Sequence, residues 1–171
     1  MAGSIPNRPK ETQDRIAIAI VASLYHDVYV TGMLDAASEE IQQIAPNASI
    51  TVYRVPGAFE IPVTAEMALR NSGVDAVMAL GVVIRGETEH ADLVAAAVTD
   101  ALQRMAIQHV VPVTHEVLLL DTEEQAEERC LGTTINRGTE AARTMLNMVQ
   151  LFKKMRQALG VARPSTDFTE D

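Results

Sequence analysis

This chain of 171 residues has no tryptophan, one cysteine, three phenylalanines and three tyrosines. A lone Cys130 excludes an intramolecular disulfide and a cysteine-based metal cage. No apolar run approaches the roughly 20 residues of a membrane span. The polar segment Met1 to Asp14, with Pro6 and Pro9, lacks the apolar core of a signal peptide. Basic residues are also scarce, 14 against 23 acidic ones, for a formal charge of −9. Nucleic acid is a poor partner for such a surface. Together these absences favour a cytoplasmic protein that acts on small molecules. Any anion it binds must be met by cations gathered locally, so Arg85, Arg129 and Arg137 are worth following.

What is present is a core. Hydrophobic residues make up 47%, and the length suits one domain. Ile16 to Ala22, Ser49 to Val55, Ala76 to Ile84 and Val110 to Leu120 read as four strands. The first is continuously apolar, as a strand covered on both faces should be. Helical spacing links Val30, Met33, Leu34, Ala37, Ile41 and Ile44, and again Val94, Ala97, Val98, Ala101 and Met105. Pro62 suits the first turn of a helix running to about Asn71-Ser72-Gly73. A short helix from Asp121 or Thr122 to Cys130 and a long one from about Thr139 to Leu159 complete the pattern. Alternating strands and helices predict an α/β fold with a mostly parallel sheet and helices on both faces. Residues 1–14 are expected as a flexible arm, 15–160 as the domain, and 161–171 as a disordered tail.

In such a sheet, ligands bind at the carboxyl ends of the strands. Three segments fall there. After the third strand comes Arg85-Gly86-Glu87-Thr88-Glu89-His90, whose turn reads as the opening of a helix. Unpaired N–H groups and the helix dipole favour a phosphate at such a place. Thr88 can cap the helix or offer its hydroxyl to that phosphate. His90 can pass protons in both directions near neutral pH. After the second strand, Gly57 allows close backbone approach, Phe59 offers an apolar wall, and Glu60 offers an acceptor. After the first strand, Tyr25-His26 offers a ring that can stack on a flat heterocycle. Each segment also has a plainer reading, as a capped turn, a strand-to-helix turn or a half-buried loop aromatic. His109 and His115 pair with no Cys or carboxylate at a metal spacing, so no metal site is expected. The acidic run Glu123, Glu124, Glu127 and Glu128 reads as a solvated face.

Taken together, the segments resemble the 6,7-dimethyl-8-ribityllumazine synthase family of riboflavin biosynthesis. The matching pieces are Val55-Pro56-Gly57-Ala58-Phe59-Glu60-Ile61-Pro62, Gly81 through His90, Glu124-Gln125-Ala126 with Glu128-Arg129, and Asn136-Arg137-Gly138 with Glu140-Ala141-Ala142. The resemblance implies a flavodoxin-like three-layer α/β/α fold with a four-stranded sheet. It implies a cofactor-free transferase that condenses 5-amino-6-(D-ribitylamino)pyrimidine-2,4-dione with 3,4-dihydroxy-2-butanone 4-phosphate. It places phosphate on Glu87, Thr88 and Arg129, with His90 as the catalytic proton carrier. Tyr25 would stack on the pyrimidine, Ala58, Phe59 and Glu60 would hold the ribityl chain, and Val82, Val83 and Ile84 would give backbone contacts. The site would lie between subunits of a pentamer, with His115 from the neighbouring chain, and riboflavin synthase is a possible partner. Two readings compete: an archaeal-type riboflavin synthase of the same fold, and a non-catalytic flavin- or lumazine-binding shell protein. Two positions depart from the family pattern. Tyr25-His26 stands where Phe or Trp followed by Asn is usual, and His115-Glu116-Val117-Leu118-Leu119 where aromatic-Gly-Val-Leu-Thr is usual.

Overall fold

A computed structural model describes residues 6–70, 73–134 and 136–161. Four strands, β1 (Ala17–Ser23), β2 (Ser49–Val55), β3 (Ala76–Ile84) and β4 (Val113–Leu120), form one sheet in the order β2-β1-β3-β4. Every pairing is parallel. Among the described residues, five α-helices follow them: α1 (Asp27–Ile44), α2 (Ile61–Leu69), α3 (His90–His109), α4 (Glu123–Cys130) and α5 (Arg137–Leu159). A single 3-10 turn, Ala58–Glu60, leads into α2.

The sheet is apolar on both faces because successive side chains alternate between two layers. Ile18, Ile20 and Ala22 of β1 join Met78, Leu80 and Val82 of β3 under α1, α4 and α5. Ala19, Val21, Val77 and Ala79 face the other way, under α2 and α3. Ile20, Met78 and Leu80 are wholly buried, each worth ~1.5–3 kcal/mol of burial. The two deepest helix contacts need glycine. A Cβ on Gly138 of α5 would stand 1.9 Å from the Met33 carbonyl oxygen of α1, and one on Gly32 would stand 2.8 Å from the Cys130 carbonyl oxygen. Two of the three residues of the Asn136-Arg137-Gly138 motif therefore serve the fold: Asn136 caps α5, accepting from the Gly138 N–H, and Gly138 lets α1 and α5 touch.

β1 and the start of α4 shift by a residue or two from expectation, and three other differences have a visible local cause. β4 begins at Val113, not Val110, because Val110 is left-handed (φ 50°) at the end of α3 and Pro112 has no N–H to give the ladder. α5 begins at Arg137, two residues early, because of the Asn136 cap. Thr88 does not cap α3: the helix starts at His90 behind Glu89, with no side-chain cap, and Gly86 to Thr88 form an exposed bend before it. Residues 6–14, expected as a flexible arm, lie against α1 and α5. The Thr12 N–H donates to the Ile44 carbonyl (2.9 Å), Asn147 Nδ2 donates to the Asn7 carbonyl (3.0 Å), and Lys153 pairs with Asp14 (2.7 Å). Residues 162–171, most of the expected tail, lie outside the described residues.

Candidate functional site

The order β2-β1-β3-β4 reverses direction between β1 and β3. At that point the chains leaving the two strands turn to opposite faces, and a crevice opens at their carboxyl ends. A cavity of about 410 Å³ lies there. Its lining comes from three strand exits and one helix: Tyr25 and His26 after β1, Gly57 to Glu60 after β2, Val82 to Ile84, Gly86 and Thr88 at and beyond the end of β3, and His90, Ala91 and Val94 of α3.

Each wall is held by local chemistry. The loop after β1 is zipped to the end of β2, since Leu24 N–H donates to the Val55 carbonyl (2.7 Å) and Tyr25 N–H to the Pro56 carbonyl (3.2 Å). Arg54 reinforces it, donating to the Ser23 carbonyl (3.1 Å) and pairing with Asp27. On the β2 wall, Glu60 folds back over Gly57, where a Cβ would come within 3.0 Å of its carboxylate. That glycine is what lets the acceptor and the Phe59 ring share one short turn. Phe59 is 63% exposed and Tyr25 is 69% exposed. Large rings left that open at a cavity mouth are available to a ligand.

The cations are distributed unexpectedly. Arg85, inside the motif, is committed elsewhere: its guanidinium pairs with Asp92 (2.9 Å) and Asp121 (2.5 Å). Those carboxylates raise its pKa further above its ordinary value, Asp92 contributing most. With Nε, Nη1 and Nη2 each donating to one of these carboxylates, it has only its remaining N–H groups to offer a phosphate. Arg129 is half-buried on α4 and does not line the cavity. The exposed turn at Gly86 to Glu89 thus has backbone N–H groups, the Thr88 hydroxyl and a helix start, but no cation of its own chain in the cavity lining.

Of the expected site residues, Tyr25, Ala58, Phe59, Glu60, Val82, Val83, Ile84, Thr88 and His90 come together at this cavity. Glu87, Arg129 and His115 do not line it. His115 instead borders a separate hollow between α3, β4 and α5, on the outer edge of the sheet, where its Nε2 lies 2.8 Å from Thr99 Oγ1. Burial holds its pKa below the usual histidine value. Its neighbour Glu116 points to the opposite face. There Arg137 Nε stands 3.9 Å away, and Arg137 also binds Glu140 at 2.6 Å. Burial is the larger influence, and it pushes the Glu116 carboxyl up to about 7. Burial likewise pushes the Cys130 thiol up to about 11, so it is no nucleophile at neutral pH. Besides the turn glycines Gly57 and Gly86, three lining residues fall outside the expected site residues, His26, Ala91 and Val94. The signal for His26 was its place beside Tyr25 at a strand end. Val94 was hidden because its helical spacing assigned it to the core stripe.

The fold and cleft define an α/β domain with a ring-lined cavity at the switch point of a parallel sheet. The family model for 6,7-dimethyl-8-ribityllumazine synthase matches residues 15–153. Proteins of that name are similar along most of the chain. The one from Aquifex aeolicus is 38% identical over 148 residues, 86% of this chain and 96% of its own length. The Chlorobium phaeobacteroides protein is 37% identical over 137 residues, covering 80% and 88%. The Streptomyces coelicolor protein is 41% identical over 128 residues, covering 74% and 78%. The chain belongs to the 6,7-dimethyl-8-ribityllumazine synthase family, transferases of riboflavin biosynthesis.

Proposed function

We propose that this chain condenses 5-amino-6-(D-ribitylamino)pyrimidine-2,4-dione with 3,4-dihydroxy-2-butanone 4-phosphate, giving 6,7-dimethyl-8-ribityllumazine, phosphate and water. The observation that carries the reading is the cavity at the β1/β3 switch point, where the Tyr25 and Phe59 rings, the Glu60 carboxylate and the His90 imidazole converge within a family match spanning 15–153. The pyrimidine lies against Tyr25, with the backbone of Val82, Val83 and Ile84 along its polar edge. The ribityl hydroxyls run toward Ala58, Phe59 and Glu60.

The butanone phosphate sits on the bend of Glu87 and Thr88, at the start of α3. His90, the first residue of that helix and a lining residue of the cavity, moves the protons. Imine formation, phosphate departure and ring closure each shift a proton at a neighbouring atom, so one imidazole that donates and accepts suffices. Much of the acceleration comes from holding amine against ketone, for which effective molarities reach ~10⁵ M or more.

The working unit in this reading is a homo-oligomer, a pentamer or a multiple of one. Support comes from the separation within one chain: the phosphate turn has no free cation, while Arg129 and His115 sit away from the cavity. A second copy placing its β4–α4 edge over the cavity supplies both. Exposed apolar residues of α2 and α3, Val63, Met67, Leu93 and Ile107, give such copies surface to bury. A cytoplasmic setting and delivery of the product to riboflavin synthase belong to the same proposal. The direct test is to mix purified protein with the two substrates and follow lumazine fluorescence and free phosphate together. Equal amounts of both are expected. Absence of both from a folded, oligomeric sample would sink the reading.

A further inference from the structure

His26 is one of two described non-glycine residues with a positive φ, the other being Val110 at the end of α3. Its backbone (φ 57°, ψ 42°) is left-handed, a region L-residues with a Cβ enter at a cost. The loop leaves it no alternative. The His26 carbonyl accepts from the N–H groups of Tyr29 (3.1 Å) and Val30 (3.2 Å), starting α1, while the residues before it are tied to β2. The Cα–Cβ bond that carries the imidazole is therefore held in one direction at the cavity. It makes no capping bond, and among the described residues neither ring nitrogen has a hydrogen-bond partner.

What the ring does touch is aromatic. Its centroid lies 4.8 Å from that of Tyr25 with the planes at 87°, an edge-to-face pair. Tyr29 lies 6.4 Å away at 34°. Tyr29 is partly buried and packs on the core under α1 and α5. Two of the chain's three tyrosines thus flank one histidine, in a protein with 4% aromatics. The three rings run from the core to the cavity mouth. Tyr25 is the outermost and 69% exposed, and apart from this pairing its side chain would be free to rotate.

We propose that His26 is a positioning residue for the pyrimidine substrate: its ring, carried on a left-handed backbone and set edge-to-face against Tyr25, holds Tyr25 in the orientation that stacks on the heterocycle. This rests on the reading of Tyr25 as the stacking platform. His26 acts through Tyr25 and takes no proton from the substrate. It is the ring, not its nitrogens, that matters. A smaller polar residue would fit the same backbone but leave Tyr25 loose.

His26→Gly removes the ring and also relieves the backbone, so the variant stays folded. The expected result is a KM for the pyrimidine raised about two- to tenfold, the worth of one aromatic pair. Binding of 6,7-dimethyl-8-ribityllumazine, followed by fluorescence quenching, should weaken equally. The KM for the butanone phosphate and kcat should stay within about twofold of the parent. His26→Asn should behave as His26→Gly does. His26→Phe should restore the pyrimidine KM even where backbone strain lowers Tm. In a Tyr25→Ala background, His26→Gly should have no further effect. The proposal is overturned if His26→Phe is as poor as His26→Gly, if both KM values rise together, or if His26→Gly matches the parent. A parent protein that makes no lumazine instead overturns the reading of the reaction. The lumazine titration, which needs no turnover, then still decides the role of His26.

Discussion

Two regions of this molecule carry chemistry-bearing residues, and they are built in opposite ways. At the β1/β3 cavity, rings and backbone dominate: Tyr25, Phe59, Val82 to Ile84 and His90 come from four different segments and meet in one hollow. At the β4–α4 edge, charge dominates: Glu116, Arg129, Arg137 and Glu140 crowd one side of β4, and His115 occupies the other. The first region has a shape for a ligand and no cation. The second has cations, but the neighbouring hollow of about 500 Å³ is lined by neither Arg129 nor Arg137. Neither is a full site, and each lacks what the other holds. A reaction between a neutral heterocycle and a phosphorylated ketone needs both, so the difference between the regions is itself an argument for two copies acting together.

The strongest way to break that comparison is to disable each half in a different copy. His90→Ala should slow turnover by ~10²–10⁴-fold and leave residual activity, because positioning survives without proton transfer. Arg129→Ala should chiefly raise the KM for the butanone phosphate, about tenfold or more for a lost charge-assisted contact. Co-expressed and co-purified, the two variants should complement each other. Roughly a quarter of the sites in randomly mixed oligomers would draw an intact His90 from one copy and an intact Arg129 from another. Steady-state rates of the mixture against each variant alone measure this. A mixture no better than its better component would place both residues in the same chain's site.

Gly138 sharpens the comparison by removing a residue from it. The Asn136-Arg137-Gly138 segment carries family resemblance as strongly as the cavity does, yet Gly138 contacts the α1 backbone and no cavity. Gly138→Ala would drive a methyl into the Met33 carbonyl, 1.9 Å from where its Cβ would stand, and backbone cannot give way as a side chain can. We expect a loss of about 3 kcal/mol or more, at the upper end of overpacking effects. Urea denaturation measures it. A variant with the parent's midpoint would show that α1 and α5 can slide apart freely.

The charged edge has its own signature in pH. The Glu116 carboxyl, buried beside Arg137 and Glu140, titrates at about 7 in the fold against an ordinary value near 4.5. Between those values the folded chain holds a proton that the unfolded chain has released. Its contribution to stability is therefore complete below about pH 4.5 and is lost as pH rises through 7. Compared with Glu116→Gln, the parent should lose ~1–3 kcal/mol between pH 5 and pH 8, with the range set by how far Arg137 rescues the anion. Parallel denaturation curves at the two pH values decide it. Equal slopes for parent and variant would mean that Glu116 ionises freely.

The sequence made the fold legible because its strands are long and apolar enough to be read without partners. The carboxyl-end cavity was legible because three strand exits each carried a glycine or an aromatic. Boundaries slipped where a local backbone choice overrode periodicity, as at Val110 with its left-handed turn. What could not be read was grouping. Nothing in the spacing of His115 and Arg129 tells that they leave the cavity that His90 lines, because that depends on which face of an edge strand and which turn of a helix they occupy. His26 was visible as an oddity beside Tyr25. Its left-handed backbone was not, because histidine is enriched in that region only as a tendency, and the residue order does not show where the loop turns.

The smallest expected effect tests the same point from the other side. Arg85 lies within the Gly81 to His90 segment, two residues from Glu87, and on sequence position alone it is the natural cation for a phosphate at that turn. In the fold it spans Asp92 and Asp121, joining the start of α3 to the end of β4. An exposed pair of this kind adds little to stability, and its charge is already answered twice. Arg85→Ala should therefore change the KM for the butanone phosphate by less than about twofold, against tenfold or more for Arg129→Ala. Asp92→Asn in the same assay should be equally mild, since it frees only part of a cation that Asp121 still holds. If Arg85→Ala instead matched Arg129→Ala, the turn would have its own cation after all, and the cavity would no longer need the charged edge of a second copy.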